Sequence, residues 1–257
     1  MDEPSFHDIH PDLLNPRHPI PILLAGCGGT GSQVLTGLAR IDHALKAMSD
    51  FPGFHLVAVD PDTVSESNVG RQLFSPADVG RNKASALVER VNRFFGLGWD
   101  ALPMTVERLA AEGHITPVKQ PKILITCVDT GAARKRIAPL VGGALYWLDL
   151  GNSATTAQAV LGTPQKIAQA SREAVAKLPT ILDLYPDLER YDDADQTPSC
   201  SMRQALLRQD LFVNQFAATA GLDLIWKMFR APRLTIHGCF LDTGTLSSRP
   251  LFISGKK

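Results

Sequence analysis

The stretch that decides the fold reads Ile20-Pro-Ile-Leu-Leu-Ala-Gly-Cys-Gly-Gly-Thr-Gly-Ser32. Its first half is a short apolar run, typical of a buried strand in a parallel sheet. Its glycines lead into a segment whose apolar residues recur with helical spacing up to residue 48. A glycine-rich turn that opens a helix directs backbone N–H groups and the positive end of the helix dipole at an incoming anion. We therefore predict that this turn binds a nucleotide through four glycines, Gly26, Gly28, Gly29 and Gly31.

Strand and helix patterns alternate outward from this stretch. Apolar runs predict strands over residues 20–25, 54–59, 101–106, 122–128, 144–150, 158–161, 233–240 and 245–253. Periodic spacing and capping residues predict helices over residues 32–48, 82–95, 130–141, 163–178 and 201–229. Alternation with short connections indicates an α/β fold: a Rossmann-like, doubly wound, mostly parallel sheet with helices on both faces. The last two strands predict an antiparallel C-terminal extension of the same sheet.

The 257 residues are expected to form one domain. Its nucleotide-binding core covers residues 18–162, followed by a helix and a mobile crossover loop over 163–200, and by a C-terminal helix and edge strands over 201–257. Lys plus Arg and Asp plus Glu number 26 each, so a general affinity for nucleic acid is not expected. No apolar stretch approaches the roughly 20 residues of a membrane span, and we expect a cytoplasmic protein without a membrane partner.

A second motif follows the strand predicted over residues 54–59. It contains Asp60, Asp62, Asn68, Arg71 and Gln72 within thirteen residues. An acid at the end of this strand is placed to accept hydrogen bonds from ribose hydroxyls, which is the predicted role of Asp60. We interpret Asp62 as supporting a metal or orienting Arg71, and Asn68 and Gln72 as further nucleotide-binding residues or as residues that hold the loop.

Two cations and one acid are predicted to meet at the carboxyl edge of the sheet. Arg71 lies in the glycine-containing loop, and Lys83 stands at the start of the next helix. A forked guanidinium and an ammonium suit the β- and γ-groups of a triphosphate. Asp129 directly follows the strand predicted over residues 122–128 and lies at the same edge, where a carboxylate beside phosphates is a natural ligand for Mg²⁺. Together these residues describe a site for ATP and Mg²⁺.

The motifs resemble those of the ThiF/MoeB/HesA family of ubiquitin-activating-enzyme-like adenylyltransferases. They are Gly-x-Gly-Gly-x-Gly-Ser, Asp-x-Asp-x-Val-x-x-Ser-Asn-x-x-Arg-Gln, Gly-x-x-Lys and Cys-x-Asp. The resemblance covers about residues 18–162 and resumes more loosely from Thr197. Within the family, the chain is most similar to the ThiF-like proteins of plasmid-borne PRTRC cassettes, which are thought to work beside ubiquitin-like and conjugating-enzyme-like partners.

The resemblance implies an activity and its partners. Family members adenylate the C-terminal carboxylate of a small β-grasp protein, a ubiquitin-like or sulfur-carrier protein, and release pyrophosphate. It further implies a homodimer, for which the apolar C-terminal helix is a possible surface. Arg71, Lys83 and Asp129 would be catalytic residues. The chain departs from the family in having Thr130 where many members have Asn, and in lacking the paired zinc cysteines, so no structural zinc is expected.

Cys200 is a fourth catalytic candidate. It ends the predicted mobile loop and begins a predicted helix, where backbone amides and the dipole lower the pKa of a thiol. In the family, a cysteine near this place takes the activated acyl group as a thioester or forms a sulfur-transfer adduct. The alternative interpretation is an inert thiol that caps a helix. Cys27 is expected to be a packing residue, and Cys127 a core residue.

Two functions of other classes remain open. The spacing G-x-G-x-x-G fits dehydrogenases and flavoproteins as well, so an NAD-dependent oxidoreductase is one alternative. The other is a non-catalytic scaffold that keeps the fold and binds a nucleotide or a partner without turnover.

Overall fold

Strands and helices alternate along most of the chain in the computed structural model, which describes residues 5–112, 121–192, 203, 206 and 209–254. The strands are β1 (His7–Asp8), β2 (Ile20–Ala25), β3 (Phe54–Val59), β4 (Asp100–Leu102), β5 (Ile123–Thr126), β6 (Tyr146–Asn152), β7 (Thr156–Gly162), β8 (Arg233–Leu234), β9 (Ile236–Asp242) and β10 (Ser247–Phe252). The helices are α1 (Pro11–Leu14), α2 (Gly29–Met48), α3 (Lys83–Phe95), α4 (Val106–Glu112), α5 (Gly131–Ile137), α6 (Ile181–Leu184) and α7 (Val213–Arg230). Short 3₁₀ turns cover Glu66–Asn68, Pro76–Asp78, Ala138–Val141 and Leu188–Tyr191.

Eight strands form one mixed sheet in the order β10-β9-β7-β6-β5-β2-β3-β4. The five strands from β6 to β4 run parallel to one another. By contrast, β7, β9 and β10 join as antiparallel neighbours beyond β6. The predicted α/β class, the parallel core and the antiparallel C-terminal extension are therefore confirmed.

The order of the parallel strands reverses between β2 and β5. From β2 the chain proceeds through β3 to β4 on one side, whereas β5 and β6 lie on the other. Ligands of open α/β sheets bind at the carboxyl ends of the strands beside such a reversal. The glycine turn follows β2, and residues 127–129 follow β5, so both segments lie at this place.

Alternate residues of the central strands enter two separate apolar cores. Ile22 and Leu24 face a core shared with α2, α3 and α7. Leu23 and Ala25 face a second core shared with α4 and α5. Helices therefore cover both faces of the sheet, which leaves its carboxyl edge as the open surface between the two layers.

Two predicted helices are wrong in whole or in part. Residues 163–180 are irregular, and backbone bonds from Thr163 N–H to Leu178 O (3.0 Å) and from Ile167 N–H to Ala176 O (2.8 Å) close them into loops. Tertiary burial of Ile167 and Leu178 outweighs the weak helical preference of this segment. The helix predicted over 201–229 is interrupted: Arg203 and Leu206 are helical, residues 209–212 contain a bend and a turn, and the helix Val213–Arg230 follows.

Two smaller differences concern the site and the proposed dimer. The strand predicted over 101–106 is only Asp100–Leu102, and α4 follows it unpredicted. The apolar face of α7 is buried inside the chain against α2, β6 and β7, although Phe212 and Phe216 at its start are exposed. The homodimer stays a prediction. Among the described residues, no helix combines the length and apolar character that crossing a bilayer requires.

Candidate functional site

Two cavities meet at the carboxyl edge of the sheet. The first, of about 230 Å³, is bounded by the ends of β2, β3 and β5 and by α4 and α5. The second, of about 630 Å³, extends from the glycine turn along the end of β6 to the start of α7. The residues that line both cavities are Gly28, Lys83, Cys127, Val128 and Asp129.

The glycine turn is shaped by two glycines and opens at a third. Gly26 has a φ of +93°, and a Cβ there would lie 2.6 Å from Cys127 O. A Cβ on Gly31 would lie 1.9 Å from Gly26 O, so the helix packs on its own turn. At Gly28 the nearest atom to such a Cβ, Gln72 Nε2, is 3.9 Å away, in agreement with its position on both cavities.

The start of α2 leaves backbone donors beside the cavities. The first N–H to bond within the helix is that of Ser32, which donates to Gly28 O (3.0 Å). The preceding N–H groups of a helix have no partner within it. Gly28, Gly29 and Thr30 line the second cavity, so this helix start faces a space large enough for phosphate groups.

Asp60 lies against the glycine turn at the end of β3. Its carboxylate accepts hydrogen bonds from Cys27 N–H (2.6 Å) and Asp62 N–H (2.8 Å). Burial raises the pKa of Asp60 above its ordinary value, and the two backbone hydrogen bonds oppose this shift. Asp60 therefore ties the two motif loops together, and it also lines the first cavity.

Lys83 and Asp62 form an ion pair at the junction. Lys83 Nζ donates to Asp62 Oδ2 (2.9 Å), and Lys83 N–H donates to Asp62 O (2.9 Å). The Lys83 side chain is 11% exposed, whereas that of Asp62 is 63% exposed. The position of Lys83 at the start of α3, with Asn82 as its cap, directs the ammonium toward both cavities.

Arg71 and Asp129 face each other across the second cavity. Arg71 Nη1 donates to Gln209 Oε1 (3.1 Å), and Arg71 Nε is buried with no partner in the part of the chain that the structure describes. Burial lowers the pKa of Arg71, and the charge of Asp129 opposes that shift. Asp129 is exposed and lines both cavities. The structure thus brings Arg71, Lys83 and Asp129 to one continuous space.

The two remaining motif residues differ in their surroundings. Gln72 is buried and lines the second cavity, and its Oε1 has no hydrogen-bond partner among the residues described. Asn68 Oδ1 accepts from Ser65 N–H (2.9 Å) and so caps the 3₁₀ turn. Asn68 lies on neither cavity described above. Its assignment to nucleotide binding stays a prediction, and its observed contact is local.

A buried ion pair supports the floor of the second cavity. Arg134 Nε donates to Asp149 Oδ1 (2.7 Å), and Arg134 Nη2 donates to Leu150 O (3.1 Å). Thr126 Oγ1 also donates to Asp149 Oδ1 (2.7 Å), whereas Asp149 Oδ2 is buried and no described residue bonds to it. Arg134 itself lines the cavity. The pair therefore connects α5 to β6 directly beneath the site.

Several cavity residues were not singled out from the sequence. Glu107 and Arg136 pair at the first cavity (3.1 Å). At the second, the Asp192 carboxylate accepts from Gly131 N–H (2.5 Å) and Ala132 N–H (3.1 Å). Further polar side chains line the second cavity, namely Asn152, Ser153, Thr156, Gln158, Gln209 and Asn214. One signal was available, because Asn214 and Gln215 are two adjacent amides within a largely apolar helical segment.

Among the described cysteines, Cys27 and Cys127 are buried and Cys239 is partly buried. Burial raises the pKa of both the Cys27 and the Cys127 thiols well above the ordinary value, so neither is a thiolate at neutral pH. This agrees with their predicted roles in packing. Cys200 lies outside the described residues, and its predicted role stays a prediction.

The chain is similar to one known family and to several solved structures. The sequence model of the ThiF family matches residues 6–236. No curated protein matches the chain significantly. Among solved structures, PaaA is similar at 16% identity with a TM-score of 0.59, over 90% of this chain and 63% of that one.

E. coli MccB is similar to the same degree. Its structure with MccA shares 16% identity and a TM-score of 0.61, over 95% of this chain and 66% of MccB. Its structure without MccA gives a TM-score of 0.62, over 95% of this chain and 64% of MccB. At this identity the similarity concerns the fold. The chain spans slightly less than two thirds of the length of either protein.

Proposed function

The chain belongs to the ThiF family, and we propose that it catalyses the ATP-dependent adenylation of a carboxylate. One observation carries this proposal: the smaller cavity at the ends of β2, β3 and β5 and the larger polar cavity share Gly28, Lys83 and Asp129. A triphosphate that crosses this junction would place its phosphates among backbone N–H groups and two cations. The second cavity would then present the acceptor carboxylate to the α-phosphate.

The proposed reaction requires positioning more than proton transfer. A carboxylate with an ordinary pKa near 4 is ionised at neutral pH, so no general base is needed. One carboxylate oxygen attacks the α-phosphorus, the bond from that phosphorus to the bridging oxygen of the β-phosphate breaks, and pyrophosphate leaves with the electron pair. Arg71 and Lys83 would offset the charge that develops on the phosphates, and the walls would hold the two anions together.

Asp129 fits the expected role of a magnesium ligand. Its exposed carboxylate lies at the junction of the two cavities. Mg²⁺ usually takes one or two protein carboxylates and completes its shell with phosphate oxygens and water. The described residues contain no cluster of three or more His, Cys, Asp or Glu that could hold a metal by themselves. When bound there, Mg²⁺ would neutralise phosphate charge.

For the acceptor we propose the C-terminal tail of a small β-grasp protein, either ubiquitin-like or a sulfur carrier. Neutral amide and hydroxyl groups of Asn152, Ser153 and Gln158 line the second cavity, as expected for a site that binds an extended polar peptide. The fold of E. coli MccB, solved together with MccA, supports a site that accommodates a second molecule. We also propose that the chain forms a homodimer and works beside a conjugating-enzyme-like partner, and that it is of the PRTRC subtype.

The proposal includes a second step at Cys200. The cysteine thiolate would attack the acyl carbon of the adenylate, the bond to the AMP oxygen would break, and AMP would leave. The product is a thioester. A carrier adduct that thiols cleave should therefore form in the wild type and be absent in Cys200→Ala. An adduct that persists in that variant would remove Cys200 from the reaction.

Exchange of labelled pyrophosphate into ATP tests the first step. With a candidate carrier whose tail ends in glycine, we expect exchange that is reduced at least tenfold by Asp129→Ala. Asp50→Ala is the matched control, because Asp50 is an exposed aspartate after α2 and outside both cavities. Equal exchange in the two variants would remove Asp129 from the mechanism.

The same measurements separate the alternative functions. Binding of Mg-ATP without exchange, tested with carriers that have glycine tails, would favour the scaffold. Quenching of nicotinamide fluorescence without any effect of Mg-ATP would favour the oxidoreductase.

A further inference from the structure

A relay of side-chain amides connects the start of α7 to Arg71. Gln209 Oε1 accepts from Arg71 Nη1 (3.1 Å) and from Asn214 Nδ2 (2.9 Å). Asn214 Oδ1 accepts from Thr30 Oγ1 (2.9 Å), which belongs to the first turn of α2. The relay therefore joins three parts of the site: the glycine turn, the Arg71 loop and the C-terminal helix.

The chemistry of arginine sets the direction of every bond in the relay. A guanidinium has donors and no acceptor, so Gln209 must turn its oxygen toward Arg71. That oxygen also faces the Asn214 side chain, which must then present its NH₂ group. The Asn214 oxygen is left facing Thr30, whose hydroxyl donates to it. Each amide has one orientation, and reversing any of them places two donors or two acceptors together.

The surrounding backbone holds the relay in place. Asp210 N–H donates to Ala154 O (2.9 Å), which fixes the residue after Gln209 on the β6–β7 turn. Asn214 is 5% exposed. A Cβ on Gly29 would lie 2.7 Å from the atoms of the Asn214 amide, so the absence of a side chain at Gly29 makes room for that amide. This glycine therefore serves the relay as well as the turn.

We propose that Gln209 and Asn214 are positioning residues that hold the Arg71 guanidinium toward the second cavity. The Arg71 Nε atom is buried and unpaired, so among the described residues the bond to Gln209 is the hydrogen bond that orients this side chain. The inference rests on the proposed function for the role of Arg71 toward phosphate. It assigns the start of α7 to the ATP site.

Asn214→Asp tests the relay with almost no change in shape. A carboxylate at position 214 cannot donate to Gln209, so Gln209 must reverse and then presents its NH₂ group to Arg71. The Arg71 guanidinium then loses its hydrogen bond to Gln209. Because hydrogen bonds to charged groups are among the stronger ones, we expect the affinity for ATP, measured by calorimetry, to fall roughly tenfold or more. Gln215→Glu is the matched control, since it makes the same chemical change on the next, exposed residue.

A double-mutant cycle distinguishes positioning from a general structural effect. If the relay acts through Arg71, the double variant Arg71→Ala with Asn214→Asp should bind ATP no more weakly than Arg71→Ala alone. Losses that add would overturn the proposal, as would wild-type affinity in Asn214→Asp. Should Asn214→Asp fail to fold, Gln209→Met, at a half-exposed position on a turn, replaces it in the same cycle.

Failure of the relay and failure of the proposed function give different results. A wild-type protein that binds Mg-ATP, with an affinity that neither relay variant changes, contradicts the relay alone. A wild-type protein that does not bind Mg-ATP contradicts the proposed function and the phosphate role of Arg71 together.

Discussion

The two cavities share a junction, but the contacts that form them join residues at very different separations in the sequence. In the first, Asp60 binds Cys27 across 33 residues, and Lys83 binds Asp62 across 21. In the second, Arg71 binds Gln209 across 138 residues, and Thr30 binds Asn214 across 184. The first cavity is thus held by neighbouring loops of one parallel unit, and the second exists only after the antiparallel half has packed.

The two cavities also differ in how their polar groups are paired. Asp60 and Lys83 each have a close partner within the protein. At the second cavity, Arg71 Nε and Gln72 Oε1 are buried without a partner among the described residues. Such groups are costly to leave unpaired. Under the proposed function, a substrate in the second cavity would supply their partners.

The buried pair beneath the second cavity gives the largest expected effect. Arg134→Met leaves Asp149 charged and buried, so we expect the free energy of unfolding to fall by about 3–5 kcal/mol in chemical denaturation. Arg93→Met is the control, because Arg93 pairs with Glu89 in solvent with 83% of its side chain exposed; its effect should stay within about 0.5 kcal/mol. If the free energy of unfolding fell equally in both variants, the buried ion pair would not stabilise the protein more than the exposed one does.

Substitution by alanine at two glycines of the same turn should affect different properties: stability at Gly31 and ATP affinity at Gly28. Gly31→Ala forces a Cβ against Gly26 O, and overpacking of this kind costs about 1–3 kcal/mol of stability. Gly28→Ala has space, so its thermal unfolding should match the wild type while its affinity for ATP falls. Differential scanning calorimetry and ATP titration measure the two effects. Reduced stability in Gly28→Ala with unchanged affinity would show that this residue serves the turn and not the cavities.

The smallest effect is a pH dependence from two buried histidines, His7 in β1 and His237 in β9. Burial lowers the pKa of His7 and of His237 below the ordinary value of 6.5. The unfolded chain therefore takes up protons before the folded one, and stability should be full above about pH 6.5 and fall as the pH drops below it. Urea denaturation from pH 8 to pH 5 should show a shallower decline in His7→Gln than in the wild type.

A variant at the exposed His18 is the control for this dependence of stability on pH. His18→Gln should reproduce the wild-type decline, because His18 is exposed and the decline is attributed to the burial of His7 and His237. If His18→Gln and His7→Gln flattened the curve equally, the buried histidines would not be its source. Asp60 in the first cavity acts in the opposite sense, since burial raises its pKa and its ionisation destabilises the folded chain.

Sequence patterns predicted the strand ends beside the first cavity better than the long-range contacts of the second. The strand before Gly26 and the strand before Asp60 are short apolar runs with unambiguous turns after them, so their ends could be placed at one edge. The first-cavity wall from Met104 to Glu107 was missed, because residues 101–106 alternate like a strand. Residues 163–178 carry a helix-start signal, but the backbone bonds of Thr163 and Ile167 hold them in loops.

What the amino-acid order determined by itself was the parallel core, the glycine turn and the presence of two cations and an acid at its open edge. These follow from local rules, because strand ends and helix starts are encoded within a few consecutive residues. Only the tertiary structure decided that Gln209 and Asn214 would reach Arg71, and that Asp149 would be buried against Arg134. Such contacts depend on which faces pack, and packing free energy is set by the whole chain rather than by any one segment.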